Sequence, residues 1–214
     1  ALFEAKESKE AQPVLETSAK WWPDNREIKT MLGVVYREQG NADAATTLFK
    51  ELLEGIEPGL PEWWNIKVEQ LAVRLVKKEF DHVLREVQKL ADGPPPAPEA
   101  WRPRLEQLRA AAQKGATDAQ ARQEELNRKV RELVVGARGA TGERLAPPAQ
   151  ELVRIGRDAV PVLLSILRED AAEDWPAASH FLGAITNLSS ALGPDSPPEQ
   201  REKAIQDWAE WLKK

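Results

Sequence analysis

In a chain of 214 residues without cysteine, chemistry would have to come from two histidines, the carboxylates, the hydroxyls or a glycine-rich loop. His82 and His180 stand far apart in separate segments. His82 follows the turn Phe80-Asp81, and His180 accompanies Phe181 and Leu182 on an apolar helix, so both read as ordinary surface or interface histidines. The carboxylates Glu51 and Glu54 have the spacing of a solvated helix face. The cluster Glu169, Asp170, Glu173 and Asp174 lacks the alternating oxygen ligands and central glycine of a calcium loop, and reads as a solvated helix-end loop. Gly136, Gly139 and Gly142 are regularly spaced, but no Gly-Lys-Ser/Thr follows and no strand precedes them, so a flexible hinge fits better than a phosphate loop. No serine sits in a nucleophile elbow and no dinucleotide fingerprint follows a strand. The chain reads as a non-enzyme with no catalytic residue, cofactor or metal.

Eight tryptophans against one tyrosine and one methionine are the other unusual feature, with pairs at Trp21-Trp22 and Trp63-Trp64. Neighbours on a helix point about 100° apart. One member of each pair can therefore pack while the other faces outward, as core and cap or as an anchor for a partner, a use in which tryptophan is enriched. At 42% hydrophobic and 30% charged, the chain has the composition of a soluble globular protein. Its net charge of -5 is unevenly spread. Residues 101–138 are net positive and both flanks are net negative, so neither end offers a basic surface for nucleic acid. No apolar run approaches the roughly 20 residues that span a bilayer, so membrane insertion is not expected. The chain begins at Ala1 without a charged-then-apolar leader, and reads as a processed protein or a piece of a longer one, cytoplasmic or exported.

The elements that would carry any binding residue are helical. Residues 26–59 hold Leu32, Gly33, Tyr36, Gly40, Ala45, Phe49 and Leu52, closed by Pro58. Leu-Gly-x-x-Tyr, a glycine turn and Ala-x-x-x-Phe resemble the tetratricopeptide repeat, a helix-turn-helix of about 34 residues. Gly33 is small so that the second helix can come close, Tyr36 fills space between the helices, Ala45 marks the crossing and Phe49 plugs the interface. One period earlier, Ala11, Leu15 and Pro23 fit the second helix of a preceding unit, so residues 1–20 read as a helix without its partner. After a loop over 55–61, a degenerate unit runs from Trp63 to Leu90, with Leu71 and Arg74 in place of the signature glycine and tyrosine. The proline run 94–98 is an extended connector. Glu99–Ala112 is a further helix carrying Trp101, Leu105, Leu108 and Ala112. Asp118–Val135 is a separate bridging helix with a stripe of Ala121, Leu126, Val130, Leu133 and Val134.

Further on, Ala149–Gly156, then Asp158–Leu167 with Pro161 in its first turn, then Ala177–Leu188 resemble the HEAT repeat; Trp175-Pro176 depart from it at the start of the last helix. The buried face of the middle helix is expected at Val160, Leu163, Leu164 and Leu167. A final helix from Pro198, with Ala204, Trp208 and Trp211 on one face, would cap the end. The organisation expected is tetratricopeptide-like repeats over 1–113, a bridging helix and glycine-rich hinge over 114–142, and a HEAT-like segment over 143–214.

These resemblances imply an all-α fold, a right-handed α-solenoid of helix-turn-helix repeats. They further imply a scaffold or adaptor that binds a protein or peptide segment on the concave face of its first helices, as part of a larger complex. By position that face holds Glu27, Thr30, Val34, Arg37 and Glu38, then Asn65, Val68, Ala72, Leu75 and Val76, with Trp64 as an anchor. The expected partner-binding set is Thr30, Val34, Arg37, Trp64, Val68, Ala72 and Leu75. It lacks the lysine and asparagine pattern with which some family members hold a terminal carboxylate, so a hydrophobic helix or strand suits it better. The alternatives are an assembly chaperone or, at more distance, a HEAT-like enzyme such as a lyase or glycosylase.

Overall fold

A computed structural model describes residues 2–93, 96–140, 142–169, 171–188 and 191–214, with the backbone alone for 2–7, 142 and 143. Among the described residues it is helical with no strand, and it forms two compact units, residues 1–119 and 120–214. No helix among them is long and apolar enough to cross a membrane.

The first unit contains α1 (Leu2–Trp21), α2 (Arg26–Glu38), α3 (Ala42–Glu54), α4 (Pro61–Val76), α5 (Phe80–Asp92) and the first part of α6 (Arg102–Gly136). The starts of α2, α3 and α4 are capped by side chains or by proline. Asn25 accepts the Ile28 amide at 3.0 Å, Asn41 accepts that of Ala44 at 3.3 Å, and Pro61 opens α4 where no amide hydrogen is lost. Gly33 lies directly under the Phe49 ring: a β-carbon there would stand 2.6 Å from Cζ. Phe49 and Ala45 are wholly buried, sealing α2 against α3, and share their core with Ile66 and Val73 of α4. Tyr36 is half-buried and packs against this core, and it also reaches α1. Its hydroxyl donates to Glu16 of α1 at 3.0 Å, and burial together with that contact pushes its pKa up.

The α4–α5 hairpin keeps the turn of the α2–α3 hairpin and changes the packing. Gly40 ends the first hairpin at φ 78°, with the Asn41 amide donating to the Tyr36 carbonyl at 2.8 Å. Lys78 holds the corresponding place at φ 60°, with the Glu79 amide on the Arg74 carbonyl at 2.9 Å. Leu71, where the first repeat has glycine, is wholly buried, and α5 approaches α4 less closely than α3 approaches α2. Glu86 of α5 meets Lys67 of α4 at 3.1 Å. Burial pushes its carboxyl up, but the Lys67 hydrogen bond and the charges of Lys67, Lys89 and His82 outweigh this, leaving the pKa below the usual carboxylate range.

The helix expected over 99–112 and the bridging helix expected from 118 are one continuous helix, α6, preceded by a single 3-10 turn at Glu99–Trp101. No proline interrupts 113–117, and Gly115 does not break the helix because the Phe80 ring rests on it, where a β-carbon would collide. Ala121, expected in the apolar stripe, is exposed.

The second unit contains the remainder of α6, α7 (Ala146–Ile155), α8 (Val160–Glu169), α9 (Trp175–Thr186) and α10 (Pro198–Lys213). Pro161 falls in the first turn of α8, and the four residues expected on its buried face are buried; Val162 and Ile166 are buried as well, so α8 is covered nearly all round. Trp208 of α10 is wholly buried against this core, and Trp211 is partly covered, with the Arg157 guanidinium 5.4 Å from its ring centre. In the acidic cluster Glu169 and Glu173 are exposed, but Asp174 is not solvated: it is 3% exposed, Arg138 grips both its oxygens at 2.6 and 2.9 Å and also meets Glu173, and Asp170 lies outside the described residues. Neither Trp21 nor Trp22 packs, at 74% and 56% exposed, whereas Trp64 is buried with Trp63 edge-on at 5.1 Å.

Two outcomes follow. A non-glycine residue in the left-handed region costs roughly 1–2 kcal/mol, part of which glycine returns as chain entropy, so Lys78→Gly should stabilise the protein by up to about 1 kcal/mol in chemical denaturation. Glu86 is more acidic folded than unfolded, so its stabilisation is present above the ordinary carboxylate pKa and disappears as pH falls through the folded value. Denaturation midpoints of Glu86→Gln should lie below wild type at pH 7 and converge with it as pH falls through the folded value.

Candidate functional site

Positions four, seven and eleven residues apart share a helix face, and α2 and α4 each have one such face that their cores cover only in part. On α2 it holds Glu27, Met31, Val34 and Glu38; on α4 it holds Asn65, Glu69, Ala72 and Val76. Met31 and Val76 are apolar yet 48% and 45% exposed. Between the N-terminal ends of the two helices lies a cavity of about 430 Å³ lined by Arg26, Glu27, Thr30, Met31, Asn65 and neighbouring residues.

The centre of the face is ionic. Arg37 of α2 reaches Glu69 Oε2 at 2.5 Å, and Arg104 of α6 stands 3.6 Å from its other oxygen. Arg37 and Glu69 are mostly covered, with side chains 17% and 14% exposed, while Arg104 is 47% exposed. One carboxylate thus ties three helices together across the face, in a setting where partial burial raises the value of the interaction.

Of the expected partner-binding residues, Thr30 lines the cavity with its hydroxyl donating to the Arg26 carbonyl at 2.8 Å. Val34 is half-buried against the α2–α3–α4 core, Arg37 is the inner arm of the ion ladder, and Ala72 and Leu75 are half-buried against the α4–α5–α6 core. Trp64 and Val68 do not belong to the face: at 5% and 2% exposed they sit in that second core with Leu105 and Leu108 of α6, which covers the surface a partner would need. Trp64, Val68, Leu71 and Leu75 form a continuous apolar stripe at helical spacing, which is the mark of a core-facing side, and the accessible face lies one residue further round. Met31, Glu69 and Arg104 were absent from the expected set. For Glu69 the signal was available, since a carboxylate flanked by Val68 and Leu71 has to face away from the core; for Arg104, on a helix beyond the repeats, it was not.

Among the described residues, no group of histidines and carboxylates could hold a metal ion. His82 is half-buried and lies near Glu86, while His180 is exposed beside Phe181. Removing one partner of the covered Arg37–Glu69 pair strands the other. Glu69→Gln should lower stability by about 1–2 kcal/mol, and a double-mutant cycle with Arg37→Met should recover part of that loss.

No curated protein and no solved structure matches the chain. The family model of the tetratricopeptide repeat matches residues 2–68, which take in α1, α2, α3 and the first half of α4, and so include the glycine–phenylalanine crossing and the cavity-forming ends of α2 and α4.

Proposed function

We propose that this protein is a protein-interaction scaffold or adaptor, working in a larger assembly, that holds a segment of a partner on the α2–α4 face. In this reading residues 1–113 are tetratricopeptide-like repeats wound right-handedly, 114–142 a connecting region, and 143–214 a HEAT-like segment. The observation that carries the reading is the outward stripe of α2 and α4. It lies within the repeat-matching part or next to it, and it leaves Met31 and Val76 in water beside unspent polar groups such as Asn65. Tetratricopeptide repeats generally serve protein–protein interaction, and exposed apolar side chains rimmed by polar ones suit that use. Val34 and Ala72 are half-buried members of the stripe, and Thr30, Arg37 and Leu75 border it; Glu69 and Arg104 give it charge.

Affinity capture with quantitative mass spectrometry checks this. Val76→Glu alters an exposed side chain and should leave the helical spectrum and melting unchanged, while a partner recovered stoichiometrically with wild type drops at least about tenfold. Undiminished recovery would remove the face from the mechanism, and only substoichiometric, heterogeneous clients would favour an assembly chaperone.

A further inference from the structure

The cavity between the N-terminal ends of α2 and α4 has a charge imbalance from which its occupant can be read. It contains two carboxylates, Glu27 and Glu62, and one cation, Arg26. Arg26 is largely spent within the unit. Its Nη2 donates to the Gly55 carbonyl at 2.9 Å, and its Nη1 is 3.5 Å from Glu62, both partners being 46% exposed. Glu27 is exposed and has no ion-pair partner among the described residues. Both carboxylates lie in the first turn of their helices, where the macrodipole favours a negative charge. Beside them Met31, 48% exposed, forms an apolar wall. A cavity of about 430 Å³ is large enough for one aliphatic side chain with adjoining backbone.

The geometry points to a partner segment that presents an aliphatic side chain next to a lysine or arginine, the aliphatic group against Met31 and the cation between Glu27 and Glu62. This rests on the interaction reading above and names the class of segment it requires. A second copy of the chain is a poorer complement, because a molecule of net charge -5 meets an anionic site unfavourably. Arg37 and Arg104 lie further along the face, around Glu69, so the acidic end is separate from the basic centre and gives a bound segment a direction.

Selection of a random-sequence 12-residue peptide library on the full chain tests the assignment. The enriched peptides should pair an aliphatic residue with an adjacent lysine or arginine. A labelled consensus peptide should bind about five- to tenfold more weakly to Glu27→Gln, and more weakly still to Glu27→Gln/Glu62→Gln, with the loss reduced at high salt. Both positions are exposed, and circular dichroism confirms that the variants fold. Peptides that bind wild type, are lost on Val76→Glu and ignore Glu27→Gln would overturn this assignment while leaving the interaction face intact. Failure to enrich any peptide, or binding indifferent to Val76→Glu as well, would overturn both readings. Sedimentation showing a dimer abolished by Glu27→Gln would make the occupant a second copy and overturn the partner segment.

Discussion

The contact on which the first unit depends is the Phe49 ring against Gly33. Any side chain at position 33 would place a β-carbon inside the ring's van der Waals envelope, so only glycine lets α3 come this close to α2. The ring then reaches through to Ile66 and Val73 of α4, and a single aromatic side chain orients three helices. Its burial is worth about 1.5–3 kcal/mol as apolar transfer alone. The orientation matters more, because once this side of α2 is committed inward, the side with Glu27 and Met31 has to face out, with Val34 half-buried at its edge. The same device recurs where Phe80 rests on Gly115, locating α6 across the degenerate repeat.

Polar ties then set the pitch of what the aromatic contacts have brought together. Glu69, held between Arg37 and Arg104, links α2, α4 and α6 through one carboxylate; Lys67–Glu86 links α4 to α5, and Tyr36–Glu16 links α2 to α1. Exposed ion pairs contribute little, but the Arg37–Glu69 pair is mostly covered and so constrains position as well as energy. An outward face built from such ties is fairly rigid, which lowers the entropy lost when a partner settles on it.

The second unit relies on bulk burial. α8 is covered on nearly every side and Trp208 of α10 is wholly enclosed, while Arg201 lies 4.3 Å over the Trp175 ring and Arg138 grips Asp174 at the start of α9. The arginines here finish a core whose rim is aromatic or acidic, using planar guanidinium groups that stack and bind bidentately.

The period of the apolar residues alone determined that the chain is helical and that residues 26–59 form a hairpin whose glycine, alanine and phenylalanine meet. That contact is local, and close approach admits few residue types, so spacing was enough. The buried side of α8 and the proline in its first turn were legible for the same reason. Tertiary structure decided what depends on a neighbour distant in sequence. Val68 reads as a face residue until Leu105 and Leu108 of α6 are seen to cover it, and Glu69 becomes central only when Arg37 and Arg104 converge on it. It also decided that Trp21 and Trp22 both stand in water, that Asp174 is buried and that 102–136 is one helix, since helical period reports which side of a helix is apolar and not which helix, if any, lies against it.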